Sequence, residues 1–373
     1  MAGSWAHTNG RAQVERLCRA GLDEHELRAG VLRELRKAVG FDAYVWPLAD
    51  PASAVGITPM AAIPCPQELP LLIRLKYLTP LNRWTALAQA PTPAATLLAA
   101  TDGVPGRSLL WDALLRRHGV ADMLSVVFAQ SQGCWGWLDL WRIDANAFDD
   151  GDTVFVASLA PALALALRDC RARQFTAGAT LSGTMPPAAV PSQAVLVLDE
   201  DLAVLGQTGS AVQWLDLLQR GPEPYAGIPA EVLNVAAQLL AAESGVDAHP
   251  AWSRVRVGGG IWADLRAARM AAAPASSVPP IAATIQQCLP AARLGVFARS
   301  FAFTHREREL LRLAATGLDT AGLARRQGVA RYTVQDQFKS IFAKCGVHSR
   351  AALLALALGT TAGAPPPDLP PKW

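Results

Sequence analysis

No two cysteines in this chain stand at a Cys-x-x-Cys spacing, no lysine occurs between residues 194 and 300, and no apolar run reaches the length of a bilayer span. Each absence excludes something. The six cysteines, at 18, 65, 134, 170, 288 and 345, and the six histidines are scattered, so neither a zinc ribbon nor a redox dithiol is expected, and no metal site. Each cysteine reads as a small buried hydrophobe, with Cys134 singled out because three tryptophans follow it in one strand. The apolar stretch 154–167 is too short to cross a membrane and contains Pro161, and no charged start with an apolar middle and a cleavage site opens the chain, so a cytoplasmic protein with no membrane partner is expected. No Gly-x-x-x-x-Gly-Lys-Ser/Thr run occurs, and Gly258-Gly259-Gly260 lacks the lysine that would reach phosphate. A Gly-x-Ser-x-Gly elbow, a cluster of histidines with carboxylates, and a cysteine beside a base are missing too. An enzyme is not expected, nor a cofactor.

What is present is a long chain with a large apolar fraction. At 373 residues, 51% hydrophobic and 17% charged, it exceeds one ordinary domain and has the composition of a folded protein. Apolar spacing predicts two helices over residues 11–39, broken near Gly21, with Asp23 and Glu26 placed as a capping box. A strand follows at 41–48, then helices at 67–77 and 108–118 around a Pro-, Ala- and Thr-rich loop at 91–105. Strands at 122–129 and 133–142 read as a hairpin, and 148–175 as a closing helix. In the second hairpin strand Trp135, Trp137, Asp139 and Trp141 alternate with Cys134, Gly136, Leu138 and Leu140, so period two puts the tryptophans on one face. Together with Trp84 or Trp111 they either line a small-molecule pocket with one polar group in its wall or fill the core or a dimer contact.

Residues 177–192 are rich in Ala, Gly, Pro, Ser and Thr and read as a linker. Beyond it come strands at 194–199 and 202–206, helices at 210–218 and 230–242, strands near 252–257 and 261–266, and connectors at 274–280 and 290–299. A phospho-accepting receiver is excluded here because the segment holds no lysine.

The densest information lies between residues 303 and 358. Thr304 and Glu307 form a second capping box ahead of Leu310, Leu311, Leu313 and Ala314, and Gly317 closes that helix. Asp319 can cap a second helix, 320–327, that ends at Gly328. In a third, from 331 to 344, Val334, Phe338, Ile341 and Cys345 mark the buried stripe, leaving Gln335, Asp336, Gln337 and Lys339 outward. The fourth, 349–358, carries Leu353, Leu354, Leu356 and Leu358. Charge takes a side: residues 301–354 hold nine Lys or Arg against four Asp or Glu, a surplus of five, whereas the whole chain carries +3. The remainder is therefore net acidic, and the positive charge sits where counterion release from a phosphate backbone would use it.

The runs Thr304–Glu309, Gly317-Leu318, Leu323–Arg326, Tyr332–Asp336 and Phe342–Arg350 resemble, in order and spacing, the LuxR-type helix-turn-helix. The resemblance implies an all-α four-helix domain at 300–360 that binds double-stranded DNA, with the third helix reading bases and the fourth commonly supporting a homodimer. It places Gln335, Asp336 and Lys339 at the bases and Thr320, Arg331, Thr333 and Lys344 at phosphates. The chain departs from the family where a Lys is common at Gln335 and a His at Gln337, which shifts weight from phosphate attraction to hydrogen bonding. In order of elements, residues 1–176 resemble a GAF domain and 193–290 a small PAS-like module. The expectation is an α+β multidomain chain: a GAF-like α/β sensor, a PAS-like α+β domain, the helix-turn-helix, and a Pro-rich disordered tail at 361–373. The N-terminal modules are expected either to control DNA binding through a small-molecule effector or a change of packing, or to serve dimerisation alone.

Overall fold

A computed structural model describes residues 2–144, 146–180, 190–219, 227–257, 261–271 and 278–359. Most of the expected linker, the triple glycine at 258–260, part of the 274–280 connector and the expected tail at 361–373 lie outside the described residues. The chain divides into two compact units, Met1–Leu167 with Val190–Gln287, and Arg168–Ala189 with Cys288–Trp373.

The first unit begins with α1 (Ala2–Arg19) and α2 (Glu24–Ala38). The Asp23–Glu26 capping box is formed, Asp23 accepting from the N–H groups of His25 and Glu26. Then come β1 (Ala43–Ala49), β2 (Gly56–Ala62), α3 (Leu69–Leu78), α4 (Trp84–Leu87), β3 (Ala94–Thr96), α5 (Leu97–Ala100), α6 (Leu109–Ala113), β4 (Val120–Gln130), β5 (Gly133–Ile143) and α7 (Asp150–Thr180). A second run gives β6 (Ala194–Leu198), β7 (Val204–Gln207), α8 (Ala211–Leu218), α9 (Ala230–Glu243), β8 (Trp252–Arg256), β9 (Trp262–Arg269) and β10 (Ile281–Gln287). The strands form two five-stranded sheets ordered β2-β1-β5-β4-β3 and β7-β6-β10-β9-β8, antiparallel throughout. Counted within each sheet, both follow the order 2-1-5-4-3.

Several elements differ from expectation, each for a local reason. The 91–105 loop contains β3 and α5, too short to show a period. The expected helix 108–118 breaks at Leu114, whose φ of −132° and ψ of −63° leave the helical region, into α6 and a 3-10 turn, Leu115–His118. The connector at 290–299 is a helix, α10 (Pro290–Ser300), because proline at the first helical position lacks only an N–H that would have been unbonded anyway. Helix α7 runs through Pro161, in line with the single closing helix expected at 148–175. By length and composition it could cross a bilayer, and half of its most apolar window is buried in the protein.

The two sheets of the first unit are tied together by buried polar groups. Helix α9 packs on α3 and β2, and a Cβ on Gly56 would come within 2.8 Å of Trp137 and 2.9 Å of Asn234, so only glycine permits the approach. There Asn234 donates to the Gly56 carbonyl at 2.9 Å and Thr58 N–H donates to Glu231 at 2.9 Å. Arg254 clasps Asp50, Nε to Oδ2 at 2.9 Å and Nη2 to Oδ1 at 3.0 Å, and its backbone N–H adds a third bond to Oδ2. Arg83 donates to Asp247 at 2.7 Å, to Gln238 at 2.8 Å and to the Tyr77 carbonyl. Burial opposes ionisation of Asp247, but hydrogen bonds from His249 and Arg83 outweigh it and hold the carboxyl well below its usual range. Removing charge from such a pair is costly because the partner stays desolvated.

The second unit joins the end of α7 and α10 to α11 (His305–Ala315), α12 (Thr320–Gln327), α13 (Arg331–Cys345) and α14 (Arg350–Leu358). Phe175 of α7 meets Phe297 of α10 edge-on at 5.2 Å, and Phe297 in turn meets Phe303 at 5.8 Å. Helix α10 also covers α14.

Candidate nucleic-acid interface

The helix start at α11 is fixed by the expected capping box: Glu307 N–H donates to the Thr304 hydroxyl at 3.3 Å, and Thr304 N–H to Glu307 Oε2 at 2.7 Å. Glu307 does more than cap. Although nearly buried, it also accepts from Ser340 at 2.7 Å and from Lys344 at 2.6 Å, so one carboxylate clamps α11 to α13. Burial would raise its pKa, but the bonds from Lys344, Thr304 and Ser340 prevail and lower it. Lys344, assigned to phosphate by resemblance, directs its ammonium to Glu307 and, at 3.4 Å, to the Ala302 carbonyl. Its first role here is to brace the fold.

Asp319 caps α12 by accepting from Gly322 N–H at 2.7 Å, and Gly328 ends the helix with φ +66°, a left-handed conformation that favours glycine. The chain then passes through Val329 and Ala330 into α13. Val334, Phe338, Ile341 and Cys345 are that helix's buried residues. Arg331, Tyr332, Gln335, Asp336 and Lys339 are exposed, while Thr333, Gln337 and Thr320 are half-buried. Lys339 and Asp336 pair across one turn at 2.9 Å, an exposed contact worth little in water and easily exchanged. Tyr332, 69% exposed, shares the face of Gln335, Asp336 and Lys339 by its three-, four- and seven-residue spacing. Its signal in the sequence is a large aromatic in phase with the outward positions of the third helix. A shallow open depression at the turn is lined by Arg325, Arg331, Gly328, Val329 and Ala330, so two guanidinium-bearing residues flank the start of α13. The arrangement presents donors and acceptors on a convex helix with cations at its N-terminal end, the geometry that admits a helix to a major groove.

The tryptophans behave differently. Strand pairing matches Ala129 with Cys134 and Phe128 with Gly136, which leaves Trp135 as the extra residue of a bulge. Strict period two therefore breaks at that point, so alternation no longer ties Trp135 to the face of Trp137 and Trp141. Trp137, Asp139 and Trp141 line a cavity of about 60 Å³ with Val45, Lys76, Tyr77 and, from α9, Asn234. Trp135, Trp84 and Trp111 do not line it. Trp84 stacks on Trp137 with centroids 4.0 Å apart and donates to the Ala54 carbonyl, and Trp111 donates to the Val120 carbonyl at 2.8 Å. Within the wall Asp139 is already bonded by Lys76 at 2.9 Å and Ser125 at 2.5 Å. Sites for drug-sized ligands are typically several hundred Å³, so this cavity in its present form takes no more than a very small ligand. Cys134 is buried, and burial pushes its thiol up to about 12, an inert state.

Residues 302–357 match the family described as bacterial regulatory proteins, luxR family (GerE). Comparison with curated proteins gives no match. The matched segment runs from just after α10 through α11, α12 and α13 into α14, so this part of the chain is a LuxR-family helix-turn-helix, a domain that implies DNA-binding regulation of transcription.

Proposed function

We propose that the chain is a cytoplasmic, non-enzymatic transcription regulator that binds duplex DNA as a homodimer, with α13 in the major groove. Gln335, Asp336, Lys339 and Tyr332 face base edges, and Arg331, Thr333, Thr320 and Arg325 meet phosphates. The observation that carries this reading is the two-sidedness of α13: an amide, a carboxylate and an ammonium exposed over a back of Val334, Phe338 and Ile341. Two copies reading half-sites about one helical turn apart gain affinity and register. Leu353, Leu356 and Leu358 of α14 are buried within the chain, so α14 offers a partner chiefly its half-buried Leu354.

The N-terminal sheets, whose shared strand order supports GAF-like and PAS-like assignments, act by biasing how paired DNA-binding domains are presented. An effector can do so only through different affinity for two arrangements. The 60 Å³ cavity favours control by packing between the two sheets, or by an effector that first opens that contact, over occupancy of a preformed pocket.

Base reading is tested by selecting duplexes with the wild-type protein and with Gln335→Ala. Loss of the amide is expected to cost about 1–3 kcal/mol on the preferred duplex and to relax base choice at one position. Unchanged affinity and site choice would remove Gln335 from the interface.

A further inference from the structure

Outside the features above, three side chains of different chemistry converge in the first unit. One donor atom each of Cys65, Glu68 and His118 lies within 4.8 Å of the others. Cys65 and Glu68 bracket the 3-10 turn Pro66–Glu68, where a three-residue repeat aligns positions i and i+3. His118 closes the turn Leu115–His118, and Gly119, with φ +66°, swings the chain away into β4. Fifty residues separate Glu68 from His118, so no sequence spacing could have revealed the trio.

The carboxylate is already oriented. Arg117 donates to Glu68 Oε1 at 2.8 Å, leaving Oε2 against His118 Nε2 at 2.6 Å. Such a partner to the outer oxygen is the kind of support that metal-ligating carboxylates receive. Cys65 is 3% exposed and the other two are half-buried, which gives a sulfur at the back of the site and two ligands reachable from solvent.

We propose that Cys65, Glu68 and His118 bind one divalent transition-metal ion of the zinc class. A thiolate with an imidazole selects against magnesium and calcium, which take oxygen ligands, and suits zinc or its cobalt substitute. Ligand distances of about 2.0–2.3 Å set tetrahedral edges of about 3.3–3.6 Å. The imidazole–carboxylate contact, 2.6 Å here, then opens by under about 1 Å, and the sulfur, within 4.8 Å of the other two ligand atoms, closes by at most about 1.3 Å. Three protein ligands leave a fourth position for water or a small donor. Binding releases the thiol proton and ties the turn ahead of α3 to the entry of β4, stabilising the first unit by mass action.

The test is titration of the chelator-stripped, full-length protein with Co2+, read by absorption. Wild type is expected to develop a thiolate-to-cobalt charge-transfer band in the near ultraviolet that zinc abolishes by competition. Cys65→Ser loses the band, and His118→Asn, at a half-buried surface position that leaves the fold intact, weakens binding at least tenfold. Cys18→Ser changes nothing. Absence of the band in wild type, its persistence in Cys65→Ser, or wild-type affinity in His118→Asn would overturn the assignment.

Discussion

Val334→Asp is expected to unfold the helix-turn-helix and abolish duplex binding. Val334 is fully buried at the centre of the α13 stripe, beside Phe338 and Ile341, and a carboxylate there has neither water nor a partner. The cost exceeds about 4 kcal/mol, in the range reserved for unpaired buried charge. The first unit has its own core, so circular dichroism should show partial loss of helix rather than collapse, while limited proteolysis cuts within residues 305–358. A variant that kept native protease resistance and bound DNA normally would mean that this face of α13 is not the buried one. Gln335→Asp, one residue away, makes the matching control: the same carboxylate on the exposed side alters DNA affinity and leaves folding intact.

The second large effect is expected in the first unit. Asp50→Ala takes the bidentate acceptor from Arg254, whose side chain is 8% exposed against 0% for Asp50. Breaking a buried pair from one side costs about 3–5 kcal/mol, mostly because the remaining charge stays desolvated. Asp50 also accepts from the Ala52 N–H at 2.9 Å, so the turn after β1 loosens at the same time. Denaturant unfolding of the full-length variant should show the loss in the transition of the first unit, and Asp50→Asn, which keeps one acceptor, should lose less. A loss within about 0.5 kcal/mol, the size of a surface substitution, would mean that the clasp does not hold the two sheets together.

These two sites differ in how far the sequence announced them. The α13 stripe was legible because a helix repeats its environment every three or four residues, and Val334, Phe338, Ile341 and Cys345 obey that period without interruption. Thr304 with Glu307, and Asp23 with Glu26, were legible because capping is local. The Asp50–Arg254 clasp was not: its partners are 204 positions apart, and nothing in either neighbourhood refers to the other. The same separation hid the meeting of α9 with α3, by which the two sheets pack within one compact unit. Trp135 illustrates a different failure, since one bulged residue shifts every side chain beyond it relative to strict alternation. Lys344 shows a third limit: its ion pair with Glu307, 37 positions away, cannot be seen in the local motif.

Whether the exposed side of α13 engages duplex DNA is decided by the salt dependence of DNA binding by the full-length protein. Affinity for a random duplex is expected to be measurable at low ionic strength and to fall linearly in log K against log salt, with Arg331→Ala reducing the slope by about one unit. No binding at low salt, or a slope that Arg331→Ala leaves unchanged, would contradict that engagement.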